Sequence, residues 1–367
     1  MPNKKRTIFT KILIWRYKYI SERQFILVLS VLVGFLAGLG TVLLKYLTLF
    51  IQSVLEGGFI RNYYFSLYFI FPIVGVWLVY LIKKNFLKKE IGHGISTTLY
   101  AISKRSGIIE RYKMFASLMV APITVGFGGS VGLQGPAVST GAAIGSNVAS
   151  MFHMNAKTRM LLIGCATAGA MSSMFKAPVA AIVFAVEIFS LDLVFTSLVP
   201  LLLASVAAVI TSYFFRGTDV LFSFELLDAW RVKDIIFYVF LGLATGIASV
   251  YFSKMYFLIT RFFAWFSNAY VKIGIAALAI GLMLYLFPPL YGEGYGLINN
   301  LLNGETEAAL NGIQYQIDFN NVWIVIAILL IIAVCHDNHF CCRWCRWNFY
   351  TYSFYGKCTR EFSCKSD

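Results

Sequence analysis

The stretch Gly126-Phe-Gly-Gly-Ser-Val-Gly-Leu-Gln-Gly-Pro136 sets five glycines and a proline inside an otherwise apolar run. In a hydrocarbon solvent, backbone that leaves the helical state must find internal partners, because no water reaches its N–H and C=O groups. Such a break is tolerated where it lines a polar cavity. A helix restarting there aims its first N–H groups and its positive dipole end into that cavity, which favors an anion. The side chain at the center of the break is Gln134, a neutral amide rather than a carboxylate.

The rest of the chain makes that solvent a lipid bilayer. Hydrophobic residues are 59% of the 367 and charged ones 13%, about half the charge of a water-soluble domain (~25%). Residues 1–23 carry seven Lys/Arg against one Glu, with no secretory signal pattern, and then run into apolar sequence. The positive-inside rule therefore puts the N-terminus in the cytoplasm of a multi-pass plasma (inner) membrane protein. The net charge of +14 is read as basic loops that set topology. No basic run is interleaved with aromatics, so nucleic acid is not an expected partner.

Apolar segments able to cross, at about 20 residues each, are 24–51, 64–83, 197–215, 234–262, 271–290 and 320–335. Between the second and third lies 92–192, chopped by Gly, Pro, Ser and Thr into 94–103, 111–125, 133–152, 157–174 and 178–190. Short interrupted pieces of this kind point to a midplane site built from discontinuous helices. Small residues in Gly141-Ala-Ala-Ile-Gly145 and Ala166-Thr-Ala-Gly-Ala170 permit close helix packing in lipid. Pro178 suits the first turn of a new helix.

Three fragments, in order, resemble the CLC family of chloride channels and chloride/proton exchangers. Gly92-His-Gly-Ile-Ser96 is similar to the family's G-S-G-I-P, and Gly132-Leu-Gln-Gly-Pro136 to its G-[K/R]-E-G-P. Gly164-Cys-Ala-Thr-Ala-Gly-Ala170, Phe175-Lys-Ala-Pro-Val-Ala180 and Phe184-Ala-Val-Glu187 are similar to its next two helices. The resemblance implies an all-α inverted repeat with discontinuous helices, assembled as a homodimer, each subunit with its own anion path. Three helix starts and a late tyrosine hold the anion. His93, Gly94 and Ile95 would stand at the first start, and Leu133, Gln134 and Gly135 at the second. Gly92, Gly132 and Pro136 are the motif's turn residues. The implied organization is a basic N-terminus over 1–23, a first membrane repeat over 24–217, a partial second repeat over 231–335, and a tail over 336–367.

Several positions depart from the family pattern. Gln134 occupies the place of the gating glutamate, and glutamine can neither compete with chloride as a carboxylate nor take up a proton. Aligned from Phe184, the inner proton-carrying glutamate is replaced by Ile188. The alternative for Gln134 is a plain helix cap. His93 replaces a serine and either donates to the anion through its ring N–H or turns away and packs. Ser96 replaces a proline. Glu187, in an apolar helix, is either functional or paired with Lys176 or Arg159. Cys165 reads as a small packed residue.

Six of the seven cysteines crowd into 335–364. Cys335-His-Asp-Asn-His-Phe-Cys-Cys-Arg-Trp-Cys-Arg-Trp347 invites a zinc reading, but adjacent cysteines give no pair-and-pair clamp. Read one base later, Trp344-Cys345 and Trp347-Asn348 each force a glycine. The codons that follow permit G-A-G-G-I-F-T-P, which is similar to the family's third anion motif, G-x-F-x-P. The tail is therefore read as out of frame, through one inserted base or two deleted near codon 335. As written, the third helix start and the late tyrosine are then missing.

The sequence thus points to chloride movement across a membrane, channel-like and uncoupled from protons, with chloride as the bound ion and no cofactor or metal. The rivals are a nonfunctional truncated product and a zinc-binding membrane regulator using the tail. No paired carboxylates, nucleophile triad or phosphate loop suggests an enzyme.

Overall fold

A computed structural model describes residues 19–55, 64–87, 94–190, 195–218, 231–266, 268–286 and 291–303. Among them all regular structure is helical. In chain order the α-helices are α1 Glu22–Leu55, α2 Tyr64–Ile82, α3 Gly94–Lys104, α4 Lys113–Gly126, α5 Gln134–Met151, α6 Ala156–Phe175, α7 Pro178–Phe189, α8 Phe195–Arg216, α9 Ile235–Ala264, α10 Ala269–Leu286 and α11 Tyr295–Leu302. Among the described residues, four helical stretches are long and apolar enough to cross a membrane: Glu22–Leu55, Phe69–Leu87, Thr196–Arg216 and Val232–Phe263. The five pieces expected between 92 and 192 are α3 to α7, with ends moved by at most a few residues. The span expected at 320–335 and the tail lie outside the described residues, as do residues 1–18.

The chain forms two compact units, one from 1–50, 82–122 and 132–221, the other from 51–81, 123–131 and 222–367. The first unit is built by glycine and alanine. A Cβ on Gly34 of α1 would stand 2.6 Å from Ala204 Cα of α8, and one on Gly38 would stand 2.9 Å from Ala208 Cα. The α5–α6 hairpin repeats the device, since a Cβ on Gly141 would meet Ala166 O at 2.8 Å and one on Gly145 would meet Ile163 Cα at 2.9 Å. Hydroxyls stitch the same faces. Thr41 donates to Ala170 O (3.4 Å), Ser173 to Gly38 O (3.3 Å), Ser172 to Ser205 O (2.9 Å) and Ser212 to Ser173 O (2.9 Å). Such interhelical bonds contribute only about 0.6 kcal/mol each in lipid, so close backbone approach does more to hold these helices together.

Local signals explain the helix ends. Asn155 accepts from Thr158 N at 2.8 Å and caps α6. Lys176 closes α6 in the left-handed region (φ 54°), and Pro178 opens α7 in its first turn, as its fixed φ favors. The Lys176 ammonium donates to Gly217 O at 2.6 Å and lies 4.9 Å from the center of the Tyr213 ring. Buried Ser146 of α5 holds the turn between α3 and α4, accepting from Ile109 N (2.9 Å) and donating to Gly107 O (2.6 Å).

In the second unit, a Cβ on Gly281 of α10 would meet Phe69 O of α2 at 2.6 Å. Tyr80 of α2 donates to Tyr270 of α10 at 3.0 Å. Residues 235–250 of α9 are exposed throughout.

Candidate anion site

Two helix starts meet in the first unit. α3 begins at Gly94 with φ +34°, and a Cβ there would stand 2.9 Å from Gly135 O and 3.2 Å from Gly135 Cα. The first residue of α3 therefore lies against the second residue of α5. Only glycine allows this, through its left-handed backbone and its missing side chain. Of the six residues expected to hold the anion, the structure sets Gly94 against Gly135, with Ile95, Leu133 and Gln134 beside them in the chain. Gly92 and His93 lie outside the described residues, so the two orientations considered for His93 fall there too.

The first turn of α5 carries no carboxylate. Its N-cap is Leu133, fully buried, which offers no side-chain acceptor to the first turn. Pro136 is buried and carries no N–H of its own. Gln134 is half-buried, and its amide is folded back over Gly132. A Cβ on Gly132 would stand 2.8 Å from Gln134 Cδ, so any side chain there would push the amide away. The positive dipole end of α5 thus faces a neutral group, which neither fills an anion position nor neutralizes the dipole.

On the other side of the break, in the second unit, α4 ends through glycine. Gly128 has φ +92°, and Gly129 N donates to Thr124 O at 2.8 Å, closing the helix as a left-handed glycine does. Tyr291 completes that end, with its hydroxyl donating to Gly126 O at 2.7 Å. Its ring occupies the space a Gly128 side chain would take, with Cε2 2.5 Å from the position of a Cβ. Sequence reasoning missed Tyr291. The signal was Gly126 and Gly128 themselves, a helix end whose last carbonyl needs a donor in a dry medium.

The positions that departed from the family pattern are now placed. Ile188 packs against the apolar cluster of Ala101, Ile109, Val138, Ala181 and Phe189. Glu187 is exposed on α7, and of its two readings the one that paired it with Lys176 or Arg159 does not hold. Lys176 is held by the Gly217 carbonyl, and Arg159 donates to Ser106 O (3.0 Å) and Met154 O (3.4 Å). Both cations cap helix or turn carbonyls, which the sequence could not place. Cys165 is fully buried beside Ala168, Ala185, Leu201 and Ala204, a packed residue as read. The cysteine-rich stretch on which the zinc reading rested lies outside the described residues.

Comparison with known proteins identifies the family and the fold. Residues 74–336 match the family described as voltage gated chloride channel. The chain belongs to that family, the CLC family. The H(+)/Cl(−) exchange transporter ClcA of Vibrio cholerae is 26% identical over 76% of this chain. The chain spans 62% of that relative's length. Two solved structures share the fold. A slow cyanobacterial Cl−/H+ antiporter matches with a TM-score of 0.71 at 19% identity, over 87% of this chain and 75% of the antiporter. A CLC-type fluoride/proton antiporter matches with a TM-score of 0.68 at 21% identity, over 90% of this chain and 77% of the antiporter. With its spans long enough to cross a bilayer, this CLC chain is an integral membrane protein.

Proposed function

We propose that this chain conducts chloride passively, as a channel-like member of the CLC family, without coupling to protons. The observation that carries the reading is the Gln134 amide folded over Gly132 at the joined starts of α3 and α5. Backbone N–H groups and helix dipoles bind an anion without a fixed cation, so the ion is held and still leaves. A carboxylate at Gln134 would compete for that position and carry a proton in and out. An amide does neither. Ile188, packed in the apolar core, removes the second proton carrier that the family resemblance implies.

The relatives named as exchangers differ from this reading in coupling. His93, Gly94 and Ile95 at one helix start and Leu133, Gln134 and Gly135 at the other hold the anion, with Gln134 as a gate fixed in its protonated-like form. The working protein is a homodimer in the plasma (inner) membrane with its N-terminus in the cytoplasm, and no enzyme chemistry is involved. Chloride efflux from liposomes holding the purified chain tests conduction: efflux above empty vesicles supports it, and efflux equal to theirs rejects it. Gln134→Glu tests the gate. A glutamate of ordinary pKa, about 4.3, would be ionized at neutral pH and block the site, so efflux should fall at pH 7 and recover as pH drops toward that value. Unchanged rate and unchanged pH dependence would remove Gln134 from the gate.

A further inference from the structure

Four helix ends of the first unit meet at one edge, and that edge is basic. The turn from α3 to α4 carries Lys104, Arg105 and Arg111 against Glu110, and the turn from α5 to α6 leads into Lys157 and Arg159. Two contacts join these turns. Arg159 of α6 donates to Ser106 O (3.0 Å), and Ser146 of α5 accepts from Ile109 N (2.9 Å). The ring of Phe152 stands 5.4 Å from that of Phe25, which sets the same edge beside the first turn of α1. There Ser21 and Gln24 cap each other's backbone N–H and start the helix. α1 is long and apolar enough to cross a membrane, so this edge lies where the hydrocarbon of the bilayer ends.

Not all of these charges are matched inside the protein. Arg105 lies 3.6 Å from Glu110, and Arg159 holds the Ser106 and Met154 carbonyls. The Arg159 Nε is buried with no acceptor among the described residues. Lys104, Arg111 and Lys157 are exposed, and their side chains make no ion pair or hydrogen bond among the described residues. At the start of α1, Glu22 and Arg23 offset each other.

Helix dipoles sharpen the imbalance. α4 and α6 both begin at this edge with no acidic residue in the first turn. Lys113 opens α4, and Lys157 and Arg159 lie in the first turn of α6. A helix start favors an anion, and a cation there adds its charge to the positive end of the dipole. Setting topology needs basic residues on one side of the membrane, but it does not need them at helix starts. Apolar side chains stand among the cations, with Ile108, Phe115 and Met151 54%, 61% and 46% exposed. Charge and apolar area together favor an anionic lipid over a soluble anion.

We propose that this edge binds an anionic phospholipid. Lys104, Arg111 and Lys157 draw its phosphodiester headgroup, and its acyl chains cover Ile108, Phe115 and Met151. Basic residues mark the cytoplasmic side of a membrane, so the lipid belongs to the cytoplasmic leaflet. The unmatched cations and their place at two helix starts carry this assignment, independently of the transport reading.

The test uses the full chain in nonionic detergent with equal amounts of phosphatidylglycerol and phosphatidylcholine. The chain is repurified at low salt and the retained lipid is counted by mass spectrometry. Phosphatidylglycerol should be retained in excess, and salt at about 1 M, which screens charges beyond about 3 Å, should erase that excess. Each cation removed should lower it about fivefold, so Arg111→Gln/Lys157→Gln should lower it about 25-fold. That variant should keep its unfolding midpoint, since neither side chain has a described partner. Lys233→Gln removes an exposed cation of the second unit and should leave the excess unchanged. Equal retention of the two lipids, an excess that survives salt, or one indifferent to Arg111 and Lys157 overturns the proposal. So does an equal loss in Lys233→Gln, because retention would then follow net charge alone. Displacement of the lipid by inorganic phosphate also overturns it, because the surface would then take a soluble anion. Transport is not read, so failure here and failure of the chloride reading are separate results.

Discussion

Replacing Gly94 with alanine should damage the joined helix starts in two ways at once. The residue has φ +34°, where an L side chain crowds its own carbonyl at a cost of roughly 1–2 kcal/mol. The new methyl would also stand 2.9 Å from Gly135 O and 3.2 Å from Gly135 Cα. Those are backbone atoms at a helix start, so they cannot rotate away as a flexible side chain can. Overpacking of this kind costs about 1–3 kcal/mol, giving about 2–5 kcal/mol in all. The matched control is Gly135→Ala, whose Cβ meets nothing within 4 Å and should shift stability by less than about 0.5 kcal/mol. Chemical unfolding of both variants in detergent, followed by tryptophan fluorescence, measures the difference. Chloride efflux from liposomes should fall in Gly94→Ala and persist in Gly135→Ala. Equal stability of the two variants would refute the reasoning, because the contact between Gly94 and Gly135 would then not exist.

Two further substitutions probe one helix connection in each unit. Ser146→Ala strands the Ile109 N–H and the Gly107 carbonyl in a buried place, each at about 1–3 kcal/mol, and the same unfolding assay should show a loss in that range. Hydrogen exchange should rise first at the Ile109 amide, which donates to the Ser146 hydroxyl. Tyr291→Phe keeps the ring against Gly128 and removes only the bond to Gly126 O, so it should cost about 0.5–1.5 kcal/mol. Faster exchange at the amides of Gly128 and Gly129 would accompany it, and unchanged exchange there would contradict the capping role.

Much of the first unit was legible in the sequence because its determinants are local. Glycine and proline breaks placed the starts of α3, α5 and α7, and the small residues of 141–145 and 166–170 marked the faces that close. What stayed hidden depends on chain segments far apart. No pattern within residues 126–136 says that a tyrosine at 291 will cap Gly126. Nothing near Glu187 says that Lys176 will turn to Gly217 and Arg159 to Ser106, so the expected ion pair had equal charge logic and the wrong geometry. The family resemblance implied that the starts at 93–95 and 133–135 converge, yet the contact of Gly94 with Gly135 and the physical reason for glycine at 94 appear only with its φ and its neighbor. Of the span expected at 271–290, residues 271–286 lie within α10 and 287–290 lie outside the described residues.

The Gly126–Pro136 break holds the candidate anion site, and the neutral amide at Gln134 sets the expectation of uncoupled transport. The most direct measurement records chloride and proton movement together from liposomes under an outward chloride gradient. Passive conduction is expected to move chloride with no uphill proton flux at any pH from about 5 to 8, the range in which ordinary carboxylates are ionized. Protons driven uphill by the chloride gradient would contradict the account.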